Sequence, residues 1–343
     1  MNILNITDEL GIDDGVSTHV FKLKNGLDNQ GFKNYILTGK IRNSISVNDV
    51  SESNLFHHIE RSPANFIKAI LFLNKFITDN NIKIINSHSH YAANIAKYAS
   101  VLSKVKTVQT NHGLLSTPGK LKEFIADKII MTNEHTSNRY QGENTVLIKH
   151  GMDFIPFDEN KFISNTSSIN ILTSSRFVKE KNIEFFVHLA SEYKNNSSIS
   201  FSIAGEGIEK SNLQKLNDSL GGKVKFLGIV SDFKSLLSLS HIFIYPSLSE
   251  NEGFPVTLLQ AGMCSNLIIT SDFLGLKNNF EDKKDGYIIN VNDLKSAKEL
   301  LDKITNDLIR YVPLAKNYHR RVSRDYSFDE MIEKHYKLYS SLI

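Results

Sequence analysis

Arg176, Lys181 and Glu252 are the residues whose types and placement best suit chemistry. Arg176 and Lys181 follow the apolar run from Ile169 to Thr173 and precede a helical pattern carrying Ile183, Phe186, Val187 and Leu189. An arginine fork beside a lysine point charge can neutralise the charge that grows on a departing diphosphate. Glu252 lies in a loop after a second apolar run, His241 to Tyr245, which Pro246 and Ser247 end. Gly253 gives that loop backbone freedom, and Pro255 suits the first turn of a helix striped with Val256, Leu258, Leu259 and Met263. The free N–H groups around Phe254 and Val256 can face a phosphate oxygen, while Glu252 accepts hydrogen bonds from hydroxyls. Gln260 lies ~8 Å further along, about the span from a hexose across a diphosphate to a ribose. The stretch can therefore hold a sugar and a phosphate together. The bland alternative is a solvated basic loop and an acidic loop capping an ordinary helix.

Both segments need strands to deliver them, and the chain supplies strands throughout. Ile3 to Ile6, a loop through Gly11 and Gly15, a helix with Val16, Val20, Leu23 and Leu27, and Tyr35 to Leu37 make a βαβ unit. Gly15 marks that loop as a candidate ligand contact at the carboxyl end of a parallel sheet. The loop lacks the Gly-x-Gly-x-x-Gly dinucleotide fingerprint. Further strands are expected at Ile82 to Asn86, Thr107 to Thr110, Lys128 to Met131 and Val146 to Ile148, with helices at Phe66 to Ile77 and Ala92 to Leu102. Residues 155–168 lose periodicity and read as an inter-domain linker. A second series starts at Ile169. Its strands Ser200 to Ala204 and Val224 to Leu227 end at Gly205-Glu206-Gly207 and at Leu227-Gly228, where glycines let backbone approach a flat base. His88 and His90, alternating at a strand end, should face opposite sides and so not chelate one ion.

A chain of 343 residues is comfortable for two domains of roughly 150 residues each. The single Cys264 excludes an internal disulfide framework and fits a reducing compartment. Met1-Asn-Ile-Leu-Asn-Ile reads as a strand without a basic leader, and no apolar run is long enough to span a bilayer. A net charge of +3 gives no case for nucleic acid but permits contact with an anionic membrane surface or a polyanionic donor. The chain is thus expected to be cytoplasmic and able to lie against the inner membrane face.

The pattern Pro246-Ser247, Glu252-Gly253-Phe254 and Gln260 resembles the Glu-x7-Glu motif of the retaining glycosyltransferases of family four. The resemblance implies an α/β protein of the GT-B fold. That fold has two Rossmann-like βαβ domains facing across a cleft and a last helix crossing back to the first. Domains follow at 1–154 with 326–343 and at 155–325. By that resemblance Glu252 contacts the donor sugar and Gln260, in place of the second Glu, the nucleotide ribose. Arg176 and Lys181 stabilise the diphosphate, and His112, followed by Gly113, lies beside the donor sugar. Gly15, Gly205, Gly207, Leu227, Gly253, Phe254, Pro255 and Val256 border the nucleotide sugar, and His150-Gly151-Met152-Asp153 forms the hinge. This chain has Asp14-Gly15 where the family has a glycine pair.

The implied activity is metal-independent transfer of a hexose or N-acetylhexosamine, from a UDP-sugar by default, to a glycan or lipid-linked acceptor in surface polysaccharide synthesis. No cofactor and no metal ligand are expected, because no Asp-x-Asp pair stands at a strand end; Asp13-Asp14 lies in the first loop. The rivals are a sugar-nucleotide epimerase of the same fold, a non-catalytic GT-B partner suggested by Gln260, and a dinucleotide oxidoreductase.

Overall fold

A computed structural model describes residues 1–343 save 12–14, 43–46, 114–123, 141, 164–167 and 249–251. Asp13 and Asp14 of the sequence reading lie outside the described residues. The chain divides into Met1–Gly151 with Phe328–Ile343, and Met152–Ser327.

The first unit holds β1 (Asn2–Leu10), α1 (Gly15–Asn29), β2 (Lys33–Ile41), β3 (Val50–Glu52), α2 (Pro63–Asp79), β4 (Ile82–Ser87), α3 (His90–Ser103), β5 (Lys106–Asn111), β6 (Lys128–Met131), α4 (Glu134–Arg139) and β7 (Thr145–Leu147). Its strands pair in the order β3-β2-β1-β4-β5-β6-β7, every pair parallel. Ile3, Leu4, Ile6, Ile84 and Ile85 are all buried, as strands covered on both faces must be. Ser62 caps α2 by accepting from the Asn65 N–H, and Pro63 occupies the first helical position, where a missing N–H costs nothing.

The second unit holds α5 (Asn160–Ile163), β8 (Ile169–Ser174), α6 (Ile183–Ser191), β9 (Ile199–Ala204), α7 (Lys210–Ser219), β10 (Val224–Gly228), α8 (Phe233–Ser238), β11 (Ile242–Tyr245), α9 (Val256–Met263), β12 (Leu267–Ser271), β13 (Gly286–Ile289), α10 (Leu294–Asn306) and α11 (Val312–Asp325). Its six strands run β10-β9-β8-β11-β12-β13, again all parallel. The chain then returns to the first unit as α12 (Phe328–Ser340), whose Met331, Ile332, Leu338 and Tyr339 join Ile3, Leu23 and Leu27 in one apolar cluster. Gly26 of α1 permits that docking, since a Cβ there would sit 2.3 Å from Ile332 Cδ1. Tyr339 accepts a hydrogen bond from Asn86 Nδ2 at 2.9 Å, which satisfies a buried hydroxyl.

Two doubly wound parallel sheets are the architecture expected from the alternating pattern, and the returning terminal helix is the one the resemblance implies. Three local expectations need correction. The stretch read as a linker contains α5, whose Phe162 enters the core of the second unit. Lys161 is buried there too, its Nζ donating to Leu237 O at 2.9 Å and Cys264 O at 2.7 Å. A four-residue helix is too short to show periodicity. Pro255 is not inside α9 but is its N-cap, with an extended ψ of 131°. The helix α7, absent from the sequence reading, buries only Leu213 and Asn217, so its polar surface hides its period.

Candidate active site

In an open parallel sheet, ligands bind beyond the carboxyl ends of the strands, where the strand order reverses. In the second unit that point lies between β8 and β11, whose pairing matches Ile171 with Ile242 and Leu172 with Phe243. Arg176 and Lys181 follow β8; Ser247 and Glu252 follow β11. The two segments singled out from the sequence therefore leave neighbouring strands at the switch point.

The structure joins them directly. Lys181 Nζ makes a close ion pair with Glu252 Oε2. It also donates to the hydroxyl of Tyr245, the last residue of β11, at 2.9 Å. Ser247 Oγ lies 3.1 Å from Glu252 Oε2 and 3.2 Å from Glu180 O, and Leu248 N donates to Glu180 O at 2.8 Å. The loop after β11 is thereby tied to the 3-10 turn Lys179–Lys181. The pair is largely withdrawn from water, with side-chain exposures of 14% for Lys181 and 13% for Glu252, so each charge depends on the other. Burial pushes the Tyr245 hydroxyl well above its usual range, and the Glu252 carboxylate pushes it further. Tyr245 thus stays a neutral phenol. Arg176 is exposed at the mouth of the same loop.

The remaining predicted residues of this unit surround that centre. Pro255 O already accepts from the N–H groups of Leu258 and Leu259, at 3.0 and 3.4 Å. The first N–H groups of α9, on Val256 and Thr257, have no intrahelical acceptor, as at any helix start. Phe254 is buried, its ring 5.7 Å from that of Tyr326. Gln260, half-buried, has no hydrogen-bond partner for its amide among the described residues. Gly275 presses on the loop, since a Cβ there would meet Gly253 O at 2.3 Å. Gly205 has a φ of +131°, and a Cβ there would stand 2.0 Å from Ser175 O; one on Gly207 would stand 2.5 Å from Phe177 O. Both glycines let the β9 loop lie against the segment that carries Arg176. Leu227 is partly buried against the apolar cluster around Tyr245 and Phe254.

In the first unit Gly15 heads α1. His112 follows β5 and sits among other histidines rather than alone. Its Nε2 is 2.9 Å from His88 Nδ1, and His88 Nε2 is 3.3 Å from Asn5 Oδ1. His19 of α1 centres the group, its ring 5.0 Å from that of His112, 5.2 Å from His150 and 5.7 Å from His335 of α12. Burial lowers all five imidazoles, to about 3 for His88 and about 4 for His150 and His335. His90 turns elsewhere, its Nδ1 3.0 Å from Gln109 Nε2, so His88 and His90 do part.

The sequence reading passed over Tyr245 and Ser247 as site residues. The only signal for them was a hydroxyl at the end of an apolar strand and another just beyond it.

Two family models match the chain in succession: "Glycosyltransferase Family 4" over residues 14–151 and "Glycosyl transferases group 1" over residues 154–321. Among solved structures, the Anabaena protein HepE in complex with UDP and glucose superposes with a TM-score of 0.77 at 14% identity, covering 99% of this chain and 100% of that one. A sucrose-phosphate synthase from Thermosynechococcus elongatus gives 0.80 at 16% identity, covering 100% and 99%. The gpi3 subunit of the phosphatidylinositol N-acetylglucosaminyltransferase of Schizosaccharomyces pombe is 20% identical over 96% of this chain and 78% of its own. An Escherichia coli UDP-Gal:alpha-D-GlcNAc-diphosphoundecaprenol alpha-1,3-galactosyltransferase is 23% identical over 81% and 80%. The fold is GT-B, and the protein is a glycosyltransferase. It belongs to glycosyltransferase family four. Among the described residues, no helix is long and apolar enough to cross a membrane.

Proposed function

We propose that this glycosyltransferase moves a hexose or N-acetylhexosamine, with retention, from a UDP-sugar to a glycan or lipid-linked acceptor of surface polysaccharide synthesis. The observation that carries the proposal is the Lys181–Glu252–Tyr245 centre at the switch point, beside the open N-terminus of α9. A nucleotide sugar offers a partner to each charged group of this centre. The diphosphate takes Lys181, Arg176 and the Val256 and Thr257 N–H groups, and the sugar hydroxyls take Glu252. The bond from the anomeric carbon to the phosphate oxygen breaks, and the positive groups stabilise the charge that appears. The acceptor oxygen bonds to the anomeric carbon on the face the diphosphate leaves, and the acceptor proton passes to the departing phosphate oxygen. No step calls on a metal or an enzyme nucleophile. From the resemblance alone, His112 is proposed to contact the donor sugar and Gln260 the ribose.

The relatives support this choice of acceptor class, since their names specify a phosphatidylinositol and a diphosphoundecaprenol. The reading includes peripheral contact with the cytoplasmic membrane face. Incubating the purified chain with radiolabelled UDP-sugars and diphosphoundecaprenol-linked sugars, with and without added magnesium, tests it. An α-linked product from an α-linked donor, formed at the same rate without magnesium, is expected. A β-linked product, a magnesium requirement, or conversion of the donor without acceptor would each refute a part.

A further inference from the structure

The five buried histidines of the first unit belong to no element of the transfer chemistry above, the edge of His112 apart. Burying polar rings together is costly unless each nitrogen finds a partner. Here His19 Nε2, His112 Nδ1 and His335 Nε2 are buried without one. A chain of hydrogen bonds from His112 to His88 to Asn5 leaves that deficit in place.

We propose that His19, His88 and His112 bind a zinc ion in the first unit. The three residues each bring a ring nitrogen within 4.8 Å of the others, and His88 Nδ1 and His112 Nε2 are 2.9 Å apart. Tetrahedral zinc at 2.0–2.1 Å sets its nitrogen ligands about 3.3 Å from one another. Side-chain shifts of about 1.5 Å at most therefore complete the set. Asn5 Oδ1 supplies the outer support such sites use: by accepting from His88 Nε2–H at 3.3 Å, it fixes the tautomer whose Nδ1 lone pair is free to ligate. Neutral imidazole is the ligating form. Three protein ligands leave a fourth position for water or another ligand, while His150 Nδ1 lies 3.4 Å from His19 Nδ1. Ligation of His112 through Nε2 places its proton on Nδ1, so a ligand contact through Nδ1 would use the opposite edge of the same ring. A second group, Glu9 with His57 and His58, is a weaker candidate, because Arg42 Nε already lies 3.1 Å from Glu9 Oε2.

The test is metal analysis of the full chain purified without an affinity tag, followed by cobalt titration of chelator-treated protein. One zinc per chain and the visible absorption of tetrahedral cobalt are expected. His88→Ala and His19→Ala should abolish both, Asn5→Ala should weaken zinc about 10–100-fold, and His57→Ala should change neither. Should His88→Ala or His19→Ala not fold, the wild-type spectrum and Asn5→Ala decide. Folded wild-type protein that holds no transition metal and gives no cobalt spectrum would overturn the proposal. So would binding that survives His88→Ala and His19→Ala, that ignores Asn5→Ala, or that is lost in His57→Ala.

Discussion

Replacing Lys181 and Glu252 singly and together separates their structural role from their chemical one. Each charge is largely buried and faces the other. Removing one partner of such a pair costs about 3–5 kcal/mol when the survivor is stranded. Here the survivor keeps a hydroxyl, Tyr245 for Lys181 and Ser247 for Glu252, and both groups retain some water. About 2–3 kcal/mol is therefore expected for Lys181→Met or Glu252→Gln, a fall of about 4–12 °C in the melting transition. The double variant removes both charges, so it should recover most of that loss, which puts the coupling at about 3 kcal/mol or more, the top of the range for residues in contact. Turnover should behave differently. Both singles and the double should lose about a hundredfold or more, if each group stabilises charge or holds sugar in the transition state as proposed. Donor titrations add a further signature: Glu252→Gln frees Lys181 and should tighten binding of UDP while weakening that of the UDP-sugar. The assays are calorimetric melting, initial rates and isothermal titration on the same preparations. A Lys181→Met protein within about threefold of wild-type turnover would remove Lys181 from the mechanism. A double variant no more stable than the singles would show that the pair is not what holds the loop.

Arg176→Ala should lower turnover about a hundredfold while moving stability by less than about 0.5 kcal/mol, because the side chain is exposed; steady-state rates beside a denaturant curve check both. Gly205→Ala should destabilise the second unit by about 3 kcal/mol or more, since φ is +131° and the added Cβ would meet Ser175 O at 2.0 Å. A urea midpoint equal to wild type would contradict it. Burial holds Lys161 down at about 7, against 10.5 for a free lysine. Between those values the unfolded chain binds a proton the folded one does not, so stability should rise with pH across that window, by at most about 5 kcal/mol, and Lys161→Met should flatten the rise. Gln260→Ala should weaken UDP-sugar binding by about 1–2 kcal/mol and Gln260→Glu should hold or improve it; equal affinities in all three proteins would place the ribose elsewhere.

The proposed donor centre was legible where a single segment carries the whole signal. Arg176, Lys181 and Glu252 each stand between an apolar strand run and an apolar helical stripe, so their positions follow from period alone. What period does not carry is which strands become neighbours. Tyr245 reads as one more core residue of β11, and only the pairing of β8 with β11 turns its hydroxyl towards Lys181. The histidine group is hidden for the same reason. His19, His88, His112, His150 and His335 come from α1, the ends of three strand segments and α12, and no spacing in the chain connects them. Boundaries failed where the chain is short or polar, as at α5, α7 and the edge strand β3. They failed too where a proline fits either side of a helix start, as Pro255 does.

The ion pair also bears on which ligands the proposed centre admits. A free sugar offers hydroxyls to Glu252 but nothing for Lys181, so it must compete with a short, buried, charge-assisted contact. A bare diphosphate satisfies Lys181 and Arg176 yet strands Glu252 beside added negative charge, at ~4 kcal/mol per 4 Å pair for an effective dielectric near 20. A nucleotide sugar meets both demands at once, because its phosphates take the lysine while its hydroxyls take the carboxylate. The two halves of such a ligand then bind cooperatively. On the proposed function, selection for the joined molecule arises from the charges the protein pairs before any ligand arrives.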